Sequence, residues 1–284
     1  MPYILLSICC SLMVSILLKL AKRYHIDVLQ AITWNYSTAI FLTWLIFKPN
    51  LHQQLYIHSN IYLSVGILLP VLFLIIAASV RVTGIVRTDV AQRLSLVIPI
   101  IASFLLFTEA LNILKIIGII GGIIAILCTI PWNQRSAGRA GKMTWVYLLI
   151  IFVGIGIIDV LFKQIALFKD VPYTTSLFVI FILSFIVSAI ILLVQILRKK
   201  TKFSWPHILI GWFLGLANFG NIIFYIKAHK ALADSPLTVF AAVNIGVIIT
   251  GAVVGLAVFK EKLSLVNKIG LVLAIIAIVI IARA

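Results

Sequence analysis

Charged residues are scarce in this chain, and acidic residues are the scarcest of them. Aspartate and glutamate together number 7 among 284 residues, all charged residues make up 11% of the chain, and hydrophobic residues make up 63%. A soluble domain of this length carries roughly a quarter charged residues. A mean hydropathy of +1.24 therefore excludes an ordinary water-soluble protein and predicts a chain that folds in a lipid bilayer.

Cysteine and histidine are also few. The three cysteines, Cys9, Cys10 and Cys128, show neither metal-ligand spacing nor a disulfide pattern, and none of the five histidines is central to an apolar run. The sequence has no P-loop, no Asp-x-x-Asp and no His-Glu pair. We therefore predict no metal, no cofactor and no hydrolysis of ATP by this chain, and we keep an intramembrane enzyme only as a remote alternative.

Long apolar runs occupy nearly the whole sequence. Each is close to the roughly 20 residues that a helix needs to cross a bilayer, and none alternates in polarity as a membrane β-strand does. The first run precedes its basic residues, which favours a helix over a signal peptide. We predict an all-α integral membrane protein, a multi-pass protein of the cell membrane, with ten transmembrane helices at 2–20, 29–47, 60–80, 89–108, 111–130, 144–166, 173–197, 206–228, 236–259 and 264–282.

One segment occurs twice in the chain, 152 residues apart. A carboxylate and a glycine recur in register with the apolar positions: Phe107, Glu109, Leu111 and Gly118 return as Phe259, Glu261, Leu263 and Gly270. The polar segment 132–143 separates the copies and predicts a linker between two halves, 1–131 and 144–284. Because each half contains five predicted helices, the second half enters the membrane upside down. The pattern predicts two inverted five-helix repeats.

Pro99, followed by Phe107-x-Glu109-x-Leu111 and Gly118, carries a family likeness. Ten helices in two such repeats resemble the EamA-type members of the drug/metabolite transporter superfamily, and the resemblance covers nearly the whole chain. The second half departs from it, because Gly251 stands where Pro99 stands in the first. The resemblance implies a secondary transporter that works by alternating access, and we expect it to export a small polar or amphipathic metabolite.

The expected partners follow from this interpretation. They are a small-molecule substrate, membrane lipids, and a coupled proton or counter-substrate. A flippase for a lipid-linked sugar or phospholipid is the alternative. One chain contains both halves, so a monomer suffices, although an oligomer is compatible with the sequence.

The net charge of +16 does not predict a nucleic-acid partner, because the basic residues are dispersed among short loops. Sixteen of the 23 lysines and arginines fall in odd-numbered loops and seven on the other side. The positive-inside rule then places both termini outside the cytoplasm, whereas the family resemblance implies that both lie inside.

Asp159 is the acidic residue that lies well inside a predicted helix. An ionisable side chain there costs about 3 kcal/mol on insertion scales and by default faces a cavity or a partner. Lys163 follows one turn later on the same helical face. We interpret Asp159 and Lys163 as candidates for substrate binding, and Asp159 also for proton coupling, with a mutually neutralising structural ion pair as the alternative.

A polar stripe runs along the eighth predicted helix, with members three and four residues apart: Gly211, Gly215, Asn218, Asn221 and Tyr225. Amides without partners are costly in lipid, so this stripe predicts either contacts between helices or a hydrated pocket, and the glycines favour the pocket. Weaker candidates for substrate binding, all within or near predicted helices, are Trp34, Asn35, Gln92, Arg93 and Asn244. For Arg93 the favoured alternative is that its side chain extends to the lipid headgroups.

Three further features receive structural interpretations. Pro99 predicts a bend in the fourth helix. Glu109 and Glu261 open helices beside lysines and are interpreted as caps. Glycines four residues apart predict close helix packing, as in Gly118-x-x-x-Gly122 and Gly251-x-x-x-Gly255.

Overall fold

The computed structural model describes residues 2–24, 26–51, 55–83, 85–107, 112–129, 142–198, 203–257 and 264–283. Within these ranges the chain is helical and contains no strand, which confirms the all-α fold class. A short 3-10 helix, Leu55–His58, precedes α3. The α-helices are α1 (Pro2–Arg23), α2 (Val28–Phe47), α3 (Ser59–Val82), α4 (Ile85–Leu94), α5 (Val97–Leu105), α6 (Ile113–Thr129), α7 (Lys142–Leu167), α8 (Tyr173–Leu197), α9 (Trp205–Ala231), α10 (Pro236–Ala257) and α11 (Leu265–Arg283).

Five helices of the described residues are long and apolar enough to cross a membrane. They comprise Tyr56–Val80, Trp145–Leu167, Tyr173–Leu197, Trp205–Ala231 and Pro236–Val254. Shorter apolar stretches occupy Pro2–Leu18, Val90–Leu105, Ile113–Cys128 and Leu265–Ile281. The two motif glutamates, Glu109 and Glu261, lie outside the described residues. So does the predicted linker 132–143, apart from its last two residues, which begin α7.

The fourth predicted helix, 89–108, is two helices in the structure. Helix α4 ends at Leu94 and α5 begins at Val97. Pro99 has no N–H to donate to the carbonyl four residues earlier, and its ring crowds that carbonyl. The Ser95 carbonyl instead accepts the amide of Ile98 at 3.0 Å, and the Ser95 hydroxyl donates to the Gln92 carbonyl at 2.6 Å. The chain therefore breaks one turn before the proline.

Helix packing mainly joins the first half of the chain, α1 to α6, to the second half, α7 to α11. Helix α2 packs on α9 and α3 packs on α8. Helix α1 contacts α9 and α10, while α3, α4 and α5 contact α7. The last helices of the two halves, α6 and α11, pack against each other, and α2 packs against α8. The core is thus one hydrophobic cluster built from both halves.

Glycines mark the closest helix contacts. A Cβ at Gly211 would lie 2.8 Å from the Ala31 carbonyl oxygen, and one at Gly215 would lie 2.6 Å from the Asn35 carbonyl oxygen. These two glycines therefore let α2 approach α9. The sequence pattern favoured a pocket beside them, but the α2 backbone occupies that space.

The repeated glycines lie at the contact of α6 with α11. A Cβ at Gly118 would meet Ile281 at 2.5 Å, and one at Gly270 would meet Cys128 at 2.8 Å. Gly122 is similarly close to Ile245. The close packing expected of the first glycine pair is confirmed. Gly251 differs, because the nearest atom of another element lies 4.0 Å from its added Cβ.

We expect a methyl group added at Gly215 to destabilise the bundle. The new Cβ would overlap the α2 backbone, and overpacking of this kind costs about 1–3 kcal/mol. The Gly215→Ala variant should therefore unfold at a lower temperature in detergent. Gly251→Ala is the matched control, since it has room and alanine favours the helix. Equal stability of the two variants would contradict the close contact of α2 with α9.

Candidate functional site

A cavity of about 330 Å³ lies between the two halves of the chain. Its wall is formed by α1, α3 and α4 from the first half and by α7, α9 and α10 from the second. Apolar side chains, among them Leu72, Phe73, Phe162 and Val247, form much of the surface. The polar lining consists of Ser11, Ser15, Gln92, Arg93, Asp159, Asn218, Asn221, Tyr225 and Asn244.

Three helices of the second half meet at the Asp159 carboxylate. The Tyr225 hydroxyl of α9 donates to Asp159 Oδ1 at 3.1 Å. The amide of Asn244 on α10 also lies within hydrogen-bonding reach of this carboxylate, and its Nδ2 donates to the Phe240 carbonyl at 2.9 Å. These contacts hold the carboxylate in place at the cavity wall, where a charged or hydrogen-bonding group of a ligand can reach it.

Two asparagines of α9 have different surroundings. Asn221 Oδ1 accepts a hydrogen bond from the buried Ser7 hydroxyl of α1 at 2.9 Å, which ties the two halves together. Asn218 is 5% exposed, and its Nδ2 has no hydrogen-bond partner among the described residues. Leaving a buried donor unsatisfied costs about 1–3 kcal/mol. The Asn218 side chain lines the cavity, and its amide nitrogen is a buried donor that no described residue satisfies.

Gln92 and Arg93 lie in the last turn of α4, directly before the break that Pro99 causes. Both side chains are partly exposed and line the cavity. A guanidinium offers a planar fork of donors that suits carboxylate and phosphate groups. The cavity wall thus contains a cationic side chain as well as the carboxylate of Asp159.

Lys163 does not line the cavity. Its side chain is fully buried, and its Nζ donates to the Ala233 carbonyl in the turn between α9 and α10 at 2.8 Å. Nζ also lies 5.7 Å from the centroid of the Phe107 ring. The ion pair between Asp159 and Lys163 that their spacing allows is not formed, since each side chain contacts a different partner.

Trp34 and Asn35 lie on α2 beside α9, away from the cavity lining. Trp34 meets the Phe203 ring edge-on at 6.5 Å between centroids. Trp34 Nε1 and Asn35 Oδ1 are buried atoms without hydrogen-bond partners among the described residues. Seven of the ten residues predicted from the sequence therefore come together around the cavity, whereas Trp34, Asn35 and Lys163 do not.

Sequence reasoning missed part of the wall. Ser11 and Ser15 line the cavity from α1, and the Ser15 hydroxyl donates to the Ser11 carbonyl at 3.1 Å. With Ser7 they recur every four residues on one face of α1, and this spacing is a signal that could have identified them. The apolar wall residues carry no such signal, because nearly every residue around them is apolar too.

Two known proteins are similar to this chain over nearly its whole length. A protein of Haemophilus influenzae (strain ATCC 51907 / DSM 11121 / KW20 / Rd), described as uncharacterized, is 39% identical over 285 residues, which cover 98% of this chain and 96% of that protein. A crystal structure described only as that of a protein has a TM-score of 0.74 at 13% identity and covers 98% of this chain and 94% of that one. No family model matches the chain. The fold therefore has a counterpart among solved structures.

We expect Asn218→Leu to keep or raise the thermal stability of the protein. Leucine has the same branching as asparagine, its larger methyl groups adjoin the cavity, and it removes an amide nitrogen that has no partner among the described residues. Asn244→Leu is the matched control, because it removes a donor that the Phe240 carbonyl and Asp159 use, and we expect it to lower the unfolding temperature. If Asn218→Leu destabilised the protein as much as Asn244→Leu does, the Asn218 amide would be a structural contact.

Proposed function

This chain belongs to the same family as the Haemophilus influenzae protein, and we propose that it is a secondary transporter with ten membrane spans. It moves a small polar or amphipathic molecule by alternating access, and we propose export across the cell membrane as its direction. The observation that carries this proposal is the cavity between the halves, whose polar lining lies inside an otherwise apolar bundle. Ionisable residues within membrane helices typically mark substrate or ion pathways.

The arrangement of the helices supports two inverted repeats. If α4 and α5 are counted as one broken span, the cavity is lined by the first, third and fourth spans of each half. The contacts between halves also occur in matching pairs: α2 with α9 matches α8 with α3, and α1 with α9 matches α7 with α3. A site at the interface of two such repeats can be opened to either side by rocking one half against the other.

The cavity wall favours a particular kind of substrate. A volume of about 330 Å³ lies at the lower end of the 300–1,000 Å³ range usual for small-molecule sites. Asp159 and Arg93 provide groups of opposite charge, the asparagines provide amides, and Phe73 and Phe162 provide apolar surface. These groups suit a metabolite with both polar and apolar parts.

The energy source in this proposal is a proton, a counter-substrate or the substrate gradient. A carboxylate can take up and release a proton in the cavity, so Asp159 is the residue that we assign to coupling if a proton is used. The Asp159 carboxylate accepts a hydrogen bond from Tyr225, and Tyr225 lies on α9, which contacts α1 and α2 of the first half. In this proposal a ligand or proton at Asp159 therefore affects the packing between the two halves of the chain.

Thermal-shift screening of the purified protein against a metabolite library tests the proposal. A ligand at 100 times its Kd should stabilise the protein by about 2.7 kcal/mol. We expect Asp159→Asn or Arg93→Gln to remove that stabilisation and to abolish flux of the same compound in proteoliposomes. Asp234→Asn is the matched control, because Asp234 is exposed in the turn after α9 and should leave both measurements unchanged.

The same screen distinguishes the alternatives. Stabilisation only by phospholipids or lipid-linked sugars would favour a flippase over a metabolite transporter. A stabilising metabolite that is carried equally well by wild-type, Asp159→Asn and Arg93→Gln proteins would show that this cavity is not the transport site.

A further inference from the structure

Ser7 is a buried polar residue of α1 whose hydroxyl reaches the second half of the chain. It is fully buried and donates to Asn221 Oδ1 of α9 at 2.9 Å. The same hydroxyl lies 3.3 Å from the Asn221 backbone carbonyl oxygen. In a side-chain amide only the oxygen accepts and only the nitrogen donates. The bond therefore turns the oxygen of the Asn221 amide toward α1.

Close helix packing on both sides of Ser7 holds its hydroxyl in place. A Cβ at Gly246 of α10 would overlap the Ile8 side chain, and a Cβ at Gly220 of α9 would lie 2.9 Å from Cys10 Sγ. These two glycines let α1 approach both neighbouring helices. Interiors packed this closely leave little room for a side chain or a backbone segment to shift. The position of Ser7 against α9 is thus determined by its neighbours on α1.

The amide nitrogen of Asn221 differs in its surroundings from that of Asn218. Asn218 Nδ2 is a buried atom, whereas the Asn221 side chain is partly exposed and lines the cavity. One turn further along α9, a rise of about 6 Å, the Tyr225 hydroxyl donates to the Asp159 carboxylate. The cavity wall therefore has an amide beside a carboxylate along one face of α9.

We propose that Ser7 is a positioning residue that turns the N–H groups of Asn221 toward the cavity. The cavity then binds molecules that carry a carbonyl or carboxylate oxygen beside the group that contacts Asp159. That oxygen accepts a hydrogen bond from Asn221 Nδ2. The inference rests on the proposed transport function and adds to it a requirement for a hydrogen-bond acceptor in the substrate.

Ser7 acts on the ligand without contacting it. Ser7 itself does not line the cavity. The two ends of an asparagine amide are similar in size, but one end donates and the other accepts. Rotation of the Asn221 amide by half a turn would present its oxygen to the cavity, and a carbonyl group of the ligand would then meet an acceptor. The Ser7 hydroxyl favours the orientation that suits a carbonyl.

Two matched amines test the inference without knowledge of the natural substrate. β-Aminopropiophenone and phenylpropylamine have the same ammonium and phenyl groups, and the first has a carbonyl where the second has a methylene. The Kd of each is measured from the unfolding temperature of the purified protein over a series of concentrations. We expect the wild type to bind the ketone about threefold to tenfold more tightly, which corresponds to one net hydrogen bond.

Four variants separate positioning from general stability. Asn221→Asp keeps the acceptor for Ser7 but lacks the amide nitrogen, and it should abolish the preference for the ketone; Asn221→Ala serves the same purpose if that variant does not fold. Ser7→Ala should bring the ratio of the two Kd values close to one, and Ser7→Thr, which keeps a hydroxyl, should restore it. Ser188→Ala is the matched control, because Ser188 is equally buried and donates to the Phe185 carbonyl of its own helix at 3.0 Å. It should leave the ratio unchanged.

The outcomes that overturn the inference differ from those that overturn the proposed function. If the wild type binds both amines equally, or if Ser7→Ala keeps the preference for the ketone, Ser7 does not position Asn221 for a ligand, while the transport proposal stands. If neither amine binds, the cavity does not take an ammonium beside a carbonyl, and the inference fails. If Asp159→Asn binds both amines as the wild type does, they bind outside this cavity, which counts against the inference and against the cavity as the transport site.

Discussion

Polar groups in a bilayer must be satisfied within the protein, and this constraint governs the arrangement of the described helices. Lipid offers no hydrogen bonds, so the few polar side chains gather between the halves instead of facing outward. The Asp159 carboxylate interacts with Tyr225 and Asn244, and Lys163 donates a hydrogen bond to the Ala233 carbonyl. Asn218 lacks a partner for its amide nitrogen within the described residues. The unsatisfied amide shares one cavity with Asp159 and Arg93, which is why that cavity is the candidate site.

Close packing between helices holds the walls of this cavity in position. Apolar burial drives little helix association in lipid, so contacts depend on shape and on small residues. Gly211 and Gly215 bring α2 onto α9, and Gly118 and Gly270 join α6 to α11. Gly211 and Gly215 lie on the same face of α9 as Asn218 and Tyr225 but nearer the N-terminus of the helix, so α2 covers one part of this face and the other part lines the cavity. The break before Pro99 ends α4 so that Arg93 joins the same wall.

Much of the fold and part of the site could be predicted from the amino-acid order. Apolar runs placed the helices, since each residue's preference for lipid is a local property. Asn218, Asn221 and Tyr225 came together because spacings of three and four residues put them on one face of α9. The other four candidates joined them from α4, α7 and α10 only through packing between helices. Trp34 and Asn35 do not line this cavity, because polarity alone does not say which neighbouring helix a face meets. The role of Gly215 was misjudged for the same reason: a missing side chain makes room equally for a pocket or for a helix.

By itself the sequence determined that the chain is helical, that its medium is apolar and that Asp159 is unusual, because composition, periodicity and the cost of a charge in lipid are carried by individual residues. Only the tertiary structure decided that Asp159 belongs with Tyr225 and not with Lys163. Lys163 instead donates to the Ala233 carbonyl, and that contact depends on the distance to a carbonyl in another part of the chain. Such a distance arises from packing between helices far apart in sequence, which no local pattern contains.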